Sequence, residues 1–237
     1  MNTNQILENK YWMDIASEKE AKAKIITNDD FDNRTESDVK LILENLQPQK
    51  NDVVIDFGCG IGRLAKHVAP HCGTLVGIDI SEATLSYAMR YCAGINNINL
   101  KPMMADNIIE LGNECIDKIY SIIVLQHISK PKIYNLLCDF NRVLKVGGKV
   151  FLQFPNLIKC EEGYKAHLEQ KYQLGDLCVR MEYFTKEELQ FLFKFSHLNI
   201  LNIIEKDSDF YVLAEKIQPF DIPRQPLAGI VFDKTSE

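Results

Sequence analysis

Three glycines alternate along one short loop, at Gly58, Gly60 and Gly62, directly after an apolar run that ends in Asp56 and Phe57. Glycine lets the backbone adopt positive φ and lets a ligand approach without a clash against a Cβ atom. Loops that bind pyrophosphate follow the pattern G-x-G-x-x-G, whereas this loop follows G-x-G-x-G, with an acid two residues before its first glycine. An acid there disfavours pyrophosphate and suits a ligand that carries positive charge. The plainer alternative is a tight turn between a strand and a helix.

Two further acids follow predicted strands, which is where open α/β sheets bind their ligands. Asp79 comes near the end of the run from Leu75 to Ile80, where an acid can accept hydrogen bonds from both hydroxyls of a ribose. Asp106 follows the third predicted strand and can accept a hydrogen bond from the exocyclic amine of an adenine. Each has a plainer interpretation, Asp79 as a favourable charge at a helix N-terminus and Asp106 with Asn107 as a turn-forming pair.

A polar pair, Gln126 and His127, ends the apolar run from Asp117 to Leu125. Histidine is suited to take a proton near neutral pH, so His127 is a candidate general base. Adjacent residues of a strand face opposite ways, so only one of the pair faces the site unless the strand has already ended. The pattern leaves open whether His127 is catalytic or only a hydrogen-bonding residue at the turn. We expect Gln126 to line the pocket.

Strands and helices must alternate to place these residues at one edge of a sheet. The sequence predicts strands over 53–57, 74–80, 98–104, 117–125 and 149–154, then a hairpin of 200–204 with 210–214. Helices are predicted to begin at the capping box Thr35 to Asp38, at Ser81, near Lys132 and at Thr185. Alternating strands and helices predict a parallel sheet with helices on both faces.

The chain divides into three predicted regions. They are an N-terminal cap segment at 1–34 that contains Tyr11 and Trp12, a main domain at 35–215, and an irregular tail at 216–237 that holds three prolines. Within the main domain, the polar stretch 155–183 is predicted to be an insertion that acts as a lid over the acceptor site. Its candidate bases are His167, Glu161 and Glu162, and its aromatic residues Tyr164 and Tyr183 are candidates for closing the pocket.

Composition excludes several classes of protein. The chain has 237 residues, 46% apolar and 25% charged, with a net charge of −6 and a pI of about 5.5. An acidic chain argues against a nucleic-acid partner, because phosphate binding needs a concentrated basic face. Seven cysteines without a C-x-x-C pair indicate neither a zinc site nor a disulfide framework. The first residues lack the pattern of a signal peptide and no apolar run reaches about 18 residues, so we expect a cytoplasmic protein with no membrane partner.

Taken together, these motifs resemble the class I S-adenosylmethionine-dependent methyltransferases. The resemblance rests on the segment Asp56 to Arg63, on Asp79, on Ala105 with Asp106, and on the turn from Leu144 to Gly148. It covers about residues 35 to 215 and is similar to a bacterial branch associated with small-molecule and surface-polysaccharide methylation. It implies a Rossmann-like α/β fold with a seven-stranded, mostly parallel sheet, helices on both faces and a C-terminal antiparallel strand.

The resemblance also implies S-adenosyl-L-methionine as cofactor and S-adenosyl-L-homocysteine as product. In such enzymes the glycine loop lines the methionine part of the cofactor, the acid after the second strand holds the ribose, and the acid after the third strand edges the adenine. The implied cofactor-binding residues of this chain are Asp56, Gly58, Cys59, Gly60, Gly62, Asp79, Ile80, Asp106, Asn107 and Gln126.

The expected function is methyl transfer to a small-molecule acceptor, mainly a hydroxyl, for example of a sugar or sugar nucleotide. The alternatives are transfer to nitrogen of a small amine or natural product, and a non-catalytic protein that kept the cofactor fold. A nicotinamide oxidoreductase is disfavoured because G-x-G-x-x-G is absent. Some related quinone-pathway enzymes carry Glu-His and a divalent metal where this chain has Gln126 and His127, so no metal is expected. A homodimer is a further expectation.

Overall fold

The computed structural model describes residues 31–102, 111–174 and 181–219 of the chain. The helices in these ranges are α1 (Phe31–Leu46), α2 (Ala65–Val68), α3 (Glu82–Tyr91), α4 (Lys130–Val143), α5 (Glu161–Leu174) and α6 (Lys186–Phe195). The strands are β1 (Val53–Phe57), β2 (Thr74–Asp79), β3 (Ile98–Pro102), β4 (Ile116–Ser121), β5 (Leu144–Pro155), β6 (Asn199–Lys206) and β7 (Asp209–Glu215). Two 3-10 turns lie at Ala69–His71 and Leu125–His127.

All seven strands form one sheet in the order β3-β2-β1-β4-β5-β7-β6. The pairs from β3 to β5 are parallel, and β7 is antiparallel to both of its neighbours. The predicted seven-stranded, mostly parallel fold with an antiparallel C-terminal strand is therefore confirmed. The strand order reverses between β1 and β4, and open α/β sheets bind ligands in the crevice beyond the carboxyl ends at such a point.

Helices cover both faces of the sheet, as predicted. Along β1, Ile55 and Phe57 pack into a core cluster with apolar residues of α4 and α6, whereas Val54 packs on the other face with residues of α1 and α2. Successive strand residues point to opposite faces, so a strand buried on both faces has to be apolar throughout. The one acid within β1, Asp56, consequently lies on the same face as Val54.

Two predicted helix starts are confirmed. The hydroxyl of Ser81 accepts a hydrogen bond from the Thr84 N–H at 3.2 Å, and the hydroxyl of Thr185 accepts one from the Glu188 N–H at 3.3 Å. Both are N-cap contacts, which satisfy a backbone donor that the first turn of a helix leaves unpaired.

The predicted capping box at Thr35 is wrong, because α1 already begins at Phe31. Thr35 is buried inside the helix, where its hydroxyl accepts a hydrogen bond from Arg63 at 3.3 Å. Asp38 lies one turn later and forms an ion pair with Arg63 at 2.8 Å. Both residues therefore serve tertiary contacts to the glycine loop instead of a helix end.

The predicted end of the fourth strand is also wrong. Strand β4 stops at Ser121 and not at Leu125, and Gln126 and His127 lie in the following 3-10 turn. The cause is Ile123, which has φ +63° and so cannot continue a strand. Strand β5 is longer than predicted, because it begins at Leu144 and not at Lys149. Its pairing with β4 contains a register shift, which accommodates the predicted glycine turn.

Some predictions fall outside the described ranges. These are the amphipathic N-terminal segment with Tyr11 and Trp12, the end of the third strand beyond Pro102, Asp106 with Asn107, and the tail after residue 219. Among the helices of the described ranges, none combines the length and the hydropathy needed to cross a membrane.

Candidate cofactor and acceptor site

The glycine loop between β1 and α2 is fixed to the end of β2 by backbone hydrogen bonds. The N–H groups of Gly58 and Cys59 both donate to the carbonyl of Ile78, at 2.8 and 3.0 Å, and the N–H of Gly62 donates to the carbonyl of Cys59 at 2.9 Å. The loop therefore turns tightly at the carboxyl ends of two adjacent parallel strands, next to the point where the strand order reverses.

The three glycines serve different purposes, although all have positive φ. A Cβ built at Gly58 would lie 2.7 Å from Cγ1 of Val124 and closer still to Cγ2, and one at Gly62 would lie 2.7 Å from Sγ of Cys92. Packing inside the protein thus excludes a side chain at both positions. Among the described residues, a Cβ at Gly60 would meet no atom within 4 Å. Gly60 is therefore the glycine that faces open space, where a ligand can approach the backbone.

Asp79 joins the loop to the start of α3. Its Oδ2 accepts a hydrogen bond from the Gly60 N–H at 2.8 Å, and its Oδ1 accepts one from the Ser81 N–H at 2.9 Å. Burial raises the pKa of Asp79, and these hydrogen bonds oppose the shift. Each carboxylate oxygen has a second acceptor position, so the residue can still accept hydrogen bonds from two hydroxyls. Ile80 lies next to it, at the half-buried rim.

Asp56 lies buried in β1, two residues before the first glycine of the loop. It is only 2% exposed, and its Oδ2 has no hydrogen-bond partner among the residues that the structure describes. Burial raises its pKa to about 7; the neighbouring Tyr120 hydroxyl and the charge of Arg63 oppose the rise, and the nearby Asp79 charge adds to it. Tyr120, its cross-strand neighbour on β4, is equally buried, and burial together with the charge of Asp56 raises the pKa of the Tyr120 hydroxyl. Asp56 can act on a ligand through its charge but not through direct contact.

Cys59 has its thiol inside the protein. Its side chain is 6% exposed and lies against Gly77 of β2, at 3.0 Å from the place a Cβ would occupy there. Burial, and then the charge of Asp56, raises the pKa of the Cys59 thiol well above its usual range. A contact between Cys59 and a ligand would consequently involve its backbone.

Arg63 is a site residue that the sequence interpretation missed. It comes directly after the glycine loop, and the guanidinium group is held by Asp38 and Thr35 of α1. The side chains of Arg63 and Asp38 are 15% and 7% exposed, so the ion pair is largely shielded from water. The pair fixes α1 to the loop. No local pattern could have revealed it, since the partners are 25 residues apart.

The predicted polar pair lies beside the glycine loop. Val124, which packs against Gly58, immediately precedes the 3-10 turn that contains Gln126 and His127. Gln126 is buried, and its Oε1 has no hydrogen-bond partner among the described residues, whereas His127 is half-buried. Since the strand has ended, the rule of alternating strand faces no longer separates the two side chains.

The C-terminal end of the stretch 155–183 contacts this turn. The Glu182 N–H donates to the backbone carbonyl of Gln126 at 2.7 Å. The next residue, Tyr183, lies edge-on to Tyr164 of α5, with ring centroids 5.2 Å apart, and its centroid is 6.3 Å from that of His167. Burial, together with the charge of Lys171, lowers the pKa of His167.

The structure thus connects the polar turn with the aromatic residues predicted to close the pocket. Two other candidate bases, Glu161 and Glu162, are exposed in the first turn of α5. Asp106 and Asn107 lie outside the described residues.

Comparison with known proteins gives matches to methyltransferases. The profile of a family described as "Methyltransferase domain" matches residues 54–148, from β1 into β5. A ubiquinone biosynthesis O-methyltransferase of Pseudomonas fluorescens strain Pf0-1 is 31% identical over 105 residues, which is 44% of this chain and 44% of that protein. A demethylmenaquinone methyltransferase of Tropheryma whipplei strain Twist is 33% identical over 97 residues, 41% of this chain and 39% of that protein. The chain spans less than half the length of these curated relatives.

A solved structure agrees over a longer range. The magnesium protoporphyrin IX methyltransferase of Synechocystis PCC 6803, solved with bound SAH, matches with a TM-score of 0.65 and 15% identity, covering 88% of this chain and 99% of that one. At this identity the likeness shows the fold.

Proposed function

We propose that this chain, whose residues 54–148 match the profile of a methyltransferase domain, transfers a methyl group from S-adenosylmethionine to a small-molecule acceptor. The observation that carries the proposal is the open space at Gly60, which lies beside the Asp79 carboxylate at the point where the strand order reverses. This arrangement combines a backbone that a ligand can approach with an acceptor for hydroxyl groups.

The donor set fits S-adenosylmethionine better than it fits a phosphate ligand. Two carboxylates, Asp56 and Asp79, lie at the loop, and the cation of the loop segment, Arg63, is bound by Asp38. The glycine loop would hold the methionine part, and Asp79 would accept hydrogen bonds from the ribose hydroxyls. When bound, S-adenosylmethionine supplies an electrophilic methyl carbon on a sulfonium, and S-adenosylhomocysteine remains after transfer. The roles of Asp106 and Asn107 at the adenine stay predictions.

The acceptor is proposed to be a hydroxyl, for example of a sugar or a sugar nucleotide. The curated relative named a ubiquinone biosynthesis O-methyltransferase supports oxygen as the acceptor atom without identifying the molecule. A hydroxyl must lose its proton during transfer, and His127 in the turn beyond β4 is the candidate base. The protein would otherwise contribute alignment and the exclusion of water. Transfer to the nitrogen of a small amine remains the alternative, as does cofactor binding without turnover. A homodimer, a cytoplasmic location and the absence of a nucleic-acid partner also remain predictions.

Isothermal titration calorimetry on ligand-free protein tests the cofactor. We expect S-adenosylhomocysteine to bind with one site per chain, and NADH to give no heat. A protein that binds neither S-adenosylmethionine nor S-adenosylhomocysteine would refute the proposal.

A screen with tritium-methyl S-adenosylmethionine tests the acceptor and His127. The panel comprises nucleotide sugars, phenols and small amines. With an acceptor in hand, His127→Ala should lower kcat by about 100-fold or more, the usual contribution of a general base, without changing the affinity for S-adenosylhomocysteine. The matched control is His71→Ala, because His71 is exposed in the 3-10 turn after α2. Near-normal turnover by a folded His127→Ala variant would leave His127 a structural residue.

A further inference from the structure

Ile123 has a backbone conformation that its side chain disfavours. Its φ is +63°, and positive φ in a β-branched residue is a genuine outlier. The other non-glycine residues with positive φ in the described ranges are unbranched, polar and exposed in loops; they are Gln47, Glu114, His197 and Asp207. Ile123 alone among them combines a branched side chain with partial burial, and it lies directly before the turn of the candidate site. Strained residues persist only where the surrounding structure holds them, and they cluster at functional sites.

Gln153 of β5 makes a contact that can hold Ile123 in this conformation. The Ile123 N–H donates to Oε1 of Gln153 at 2.7 Å, and Gln153 is only 3% exposed. Asp209 of β7 lies close to the Gln153 side chain; burial raises the pKa of Asp209, and the nearby Gln153 amide opposes the rise.

The backbone of Ile123 sets the direction of the next five residues of the chain. Val124 places its side chain where a Cβ on Gly58 would otherwise lie, so the turn and the glycine loop fit together through this contact. The turn that carries Gln126 and His127 begins at the next residue, and the backbone of Gln126 holds Glu182. A different φ at Ile123 would move Val124 away from Gly58 and redirect the polar pair.

We infer that Gln153 is a positioning residue for methyl transfer, which it serves by holding Ile123 in the left-handed conformation that aligns the 125–127 turn with the glycine loop. The inference rests on the proposed function for its link to catalysis. Gln153 itself touches no reacting group. It acts through Ile123, and small misplacements of reacting groups are known to cost large factors in rate.

The test replaces Gln153 by Met, which has a similar volume but cannot accept the Ile123 hydrogen bond. We expect hydrogen–deuterium exchange of the 122–128 segment to become about tenfold faster, while exchange in β1 and β2 is unchanged. We expect kcat to fall by about 10- to 100-fold, with the Kd of S-adenosylhomocysteine changed by less than about threefold.

Ile123→Gly in the same protein should recover part of the lost kcat, because glycine adopts positive φ without strain. Gln190→Met, at an exposed position of α6, is the matched control.

Several outcomes would overturn the inference. One is unchanged exchange at 122–128 in Gln153→Met; another is faster exchange with an unchanged kcat; a third is a fall in kcat that Ile123→Gly does not relieve. If the wild type transfers no methyl group to any acceptor, the proposed function fails instead, and the exchange rates still decide whether Gln153 holds the turn. If Gln153→Met does not fold, the Ile123 amide of the wild type decides: slow exchange by NMR supports the hold, and exchange at the rate of an open loop contradicts it.

Discussion

Carboxylates lie at both ends of the parallel strands, which we call the amino edge and the carboxyl edge of the sheet. The two at the amino edge, Asp52 and Asp117, form ion pairs with lysines. Asp52, just before β1, forms an ion pair with Lys118 and also accepts the Gln49 N–H. Asp117 of β4 pairs with Lys145 at 2.7 Å through one oxygen, and through the other it accepts the Val53 N–H at 2.8 Å.

At the carboxyl edge, Asp56 and Asp79 lack such partners. Among the residues that the structure describes, Asp79 accepts only backbone N–H groups, one oxygen of Asp56 accepts no hydrogen bond, and neither residue belongs to an ion pair. A buried charge without a partner costs free energy, so its retention indicates a use other than stability. The ion pairs of the amino edge stabilise the fold, whereas Asp79, and Asp56 when it is ionised, give the carboxyl edge negative charge that would suit a cationic ligand.

The comparison predicts that changes at the two edges have separable effects. Substitutions at the amino edge should lower the free energy of unfolding and leave cofactor affinity unchanged. Those at the carboxyl edge should alter pH dependence or cofactor affinity.

The largest effect is expected from the pH dependence of Asp56, because burial raises its pKa to about 7. An ordinary Asp has a pKa of about 3.9, so between about pH 4 and pH 7 the folded state holds a proton on Asp56 that the unfolded state has lost. The free energy of unfolding should therefore fall as the pH rises through this window, by up to about 4 kcal/mol, and level off above it. Asp56→Asn should remove this contribution, as measured by urea unfolding from pH 4 to pH 8.

The decisive quantity is the difference between wild type and variant. Burial also raises the pKa of Asp79 and of Asp209, so the wild-type slope alone has several sources. A wild type and an Asp56→Asn variant with parallel pH profiles would show that Asp56 is ionised in the folded state at all these pH values.

Loss of the Asp52 carboxylate should have the next largest effect. Its pair with Lys118 is largely buried, with side-chain exposures of 12% and 13%, and removing one partner of a buried pair costs about 3 kcal/mol or more. Asp52→Ala should therefore lower the free energy of unfolding by about 3 kcal/mol while the affinity for S-adenosylhomocysteine stays unchanged. Lys40→Ala is the matched control, because the Lys40–Glu44 pair is exposed and contributes about 0.5 kcal/mol. Equal losses in the two variants would contradict the stabilising role of the amino edge.

Asp79→Asn, at the carboxyl edge, should instead lower the affinity for the cofactor. Hydrogen bonds to a charged group contribute about 1.5–3 kcal/mol, so loss of the charge should weaken binding of S-adenosylhomocysteine by about 30-fold. Calorimetric titration measures this directly, with Asp117→Asn from the amino edge as control. Should both variants lose affinity to the same degree, the division between the edges would be wrong.

The sequence predicts the ligand-binding residues of the carboxyl edge better than it predicts the tertiary contacts that position them. The glycine loop after β1 and Asp79 after β2 can be read from short local patterns, and the matching family model covers both. The end of β4 cannot, since Ile122, Ile123 and Val124 have side chains that favour strands. The strand nevertheless ends before them: Ile123 has positive φ, and its N–H donates to Gln153, 30 residues away in the chain.

The same limit explains the start of α1. Thr35 and Asp38 have the types and spacing of a helix cap, but Arg63 recruits both into a tertiary contact. Contacts between residues far apart in the chain decided both cases, and local propensity carries no information about them.

Two glycines of the loop at the carboxyl edge also differ in purpose. Gly58 is required for packing against Val124, whereas Gly60 leaves the backbone accessible to a ligand. Gly60→Ala adds a methyl group that meets no atom of the described ranges within 4 Å, so its cost in stability should be that of positive φ alone, about 1 kcal/mol. Gly58→Ala has the same backbone cost and in addition clashes with Val124, so it should destabilise the protein more. Gly60→Ala should in turn weaken binding of S-adenosylhomocysteine more than its small stability loss suggests, by about tenfold. Unchanged affinity in Gly60→Ala would show that the ligand does not approach the backbone there, and the space beside Asp79 would then need another occupant.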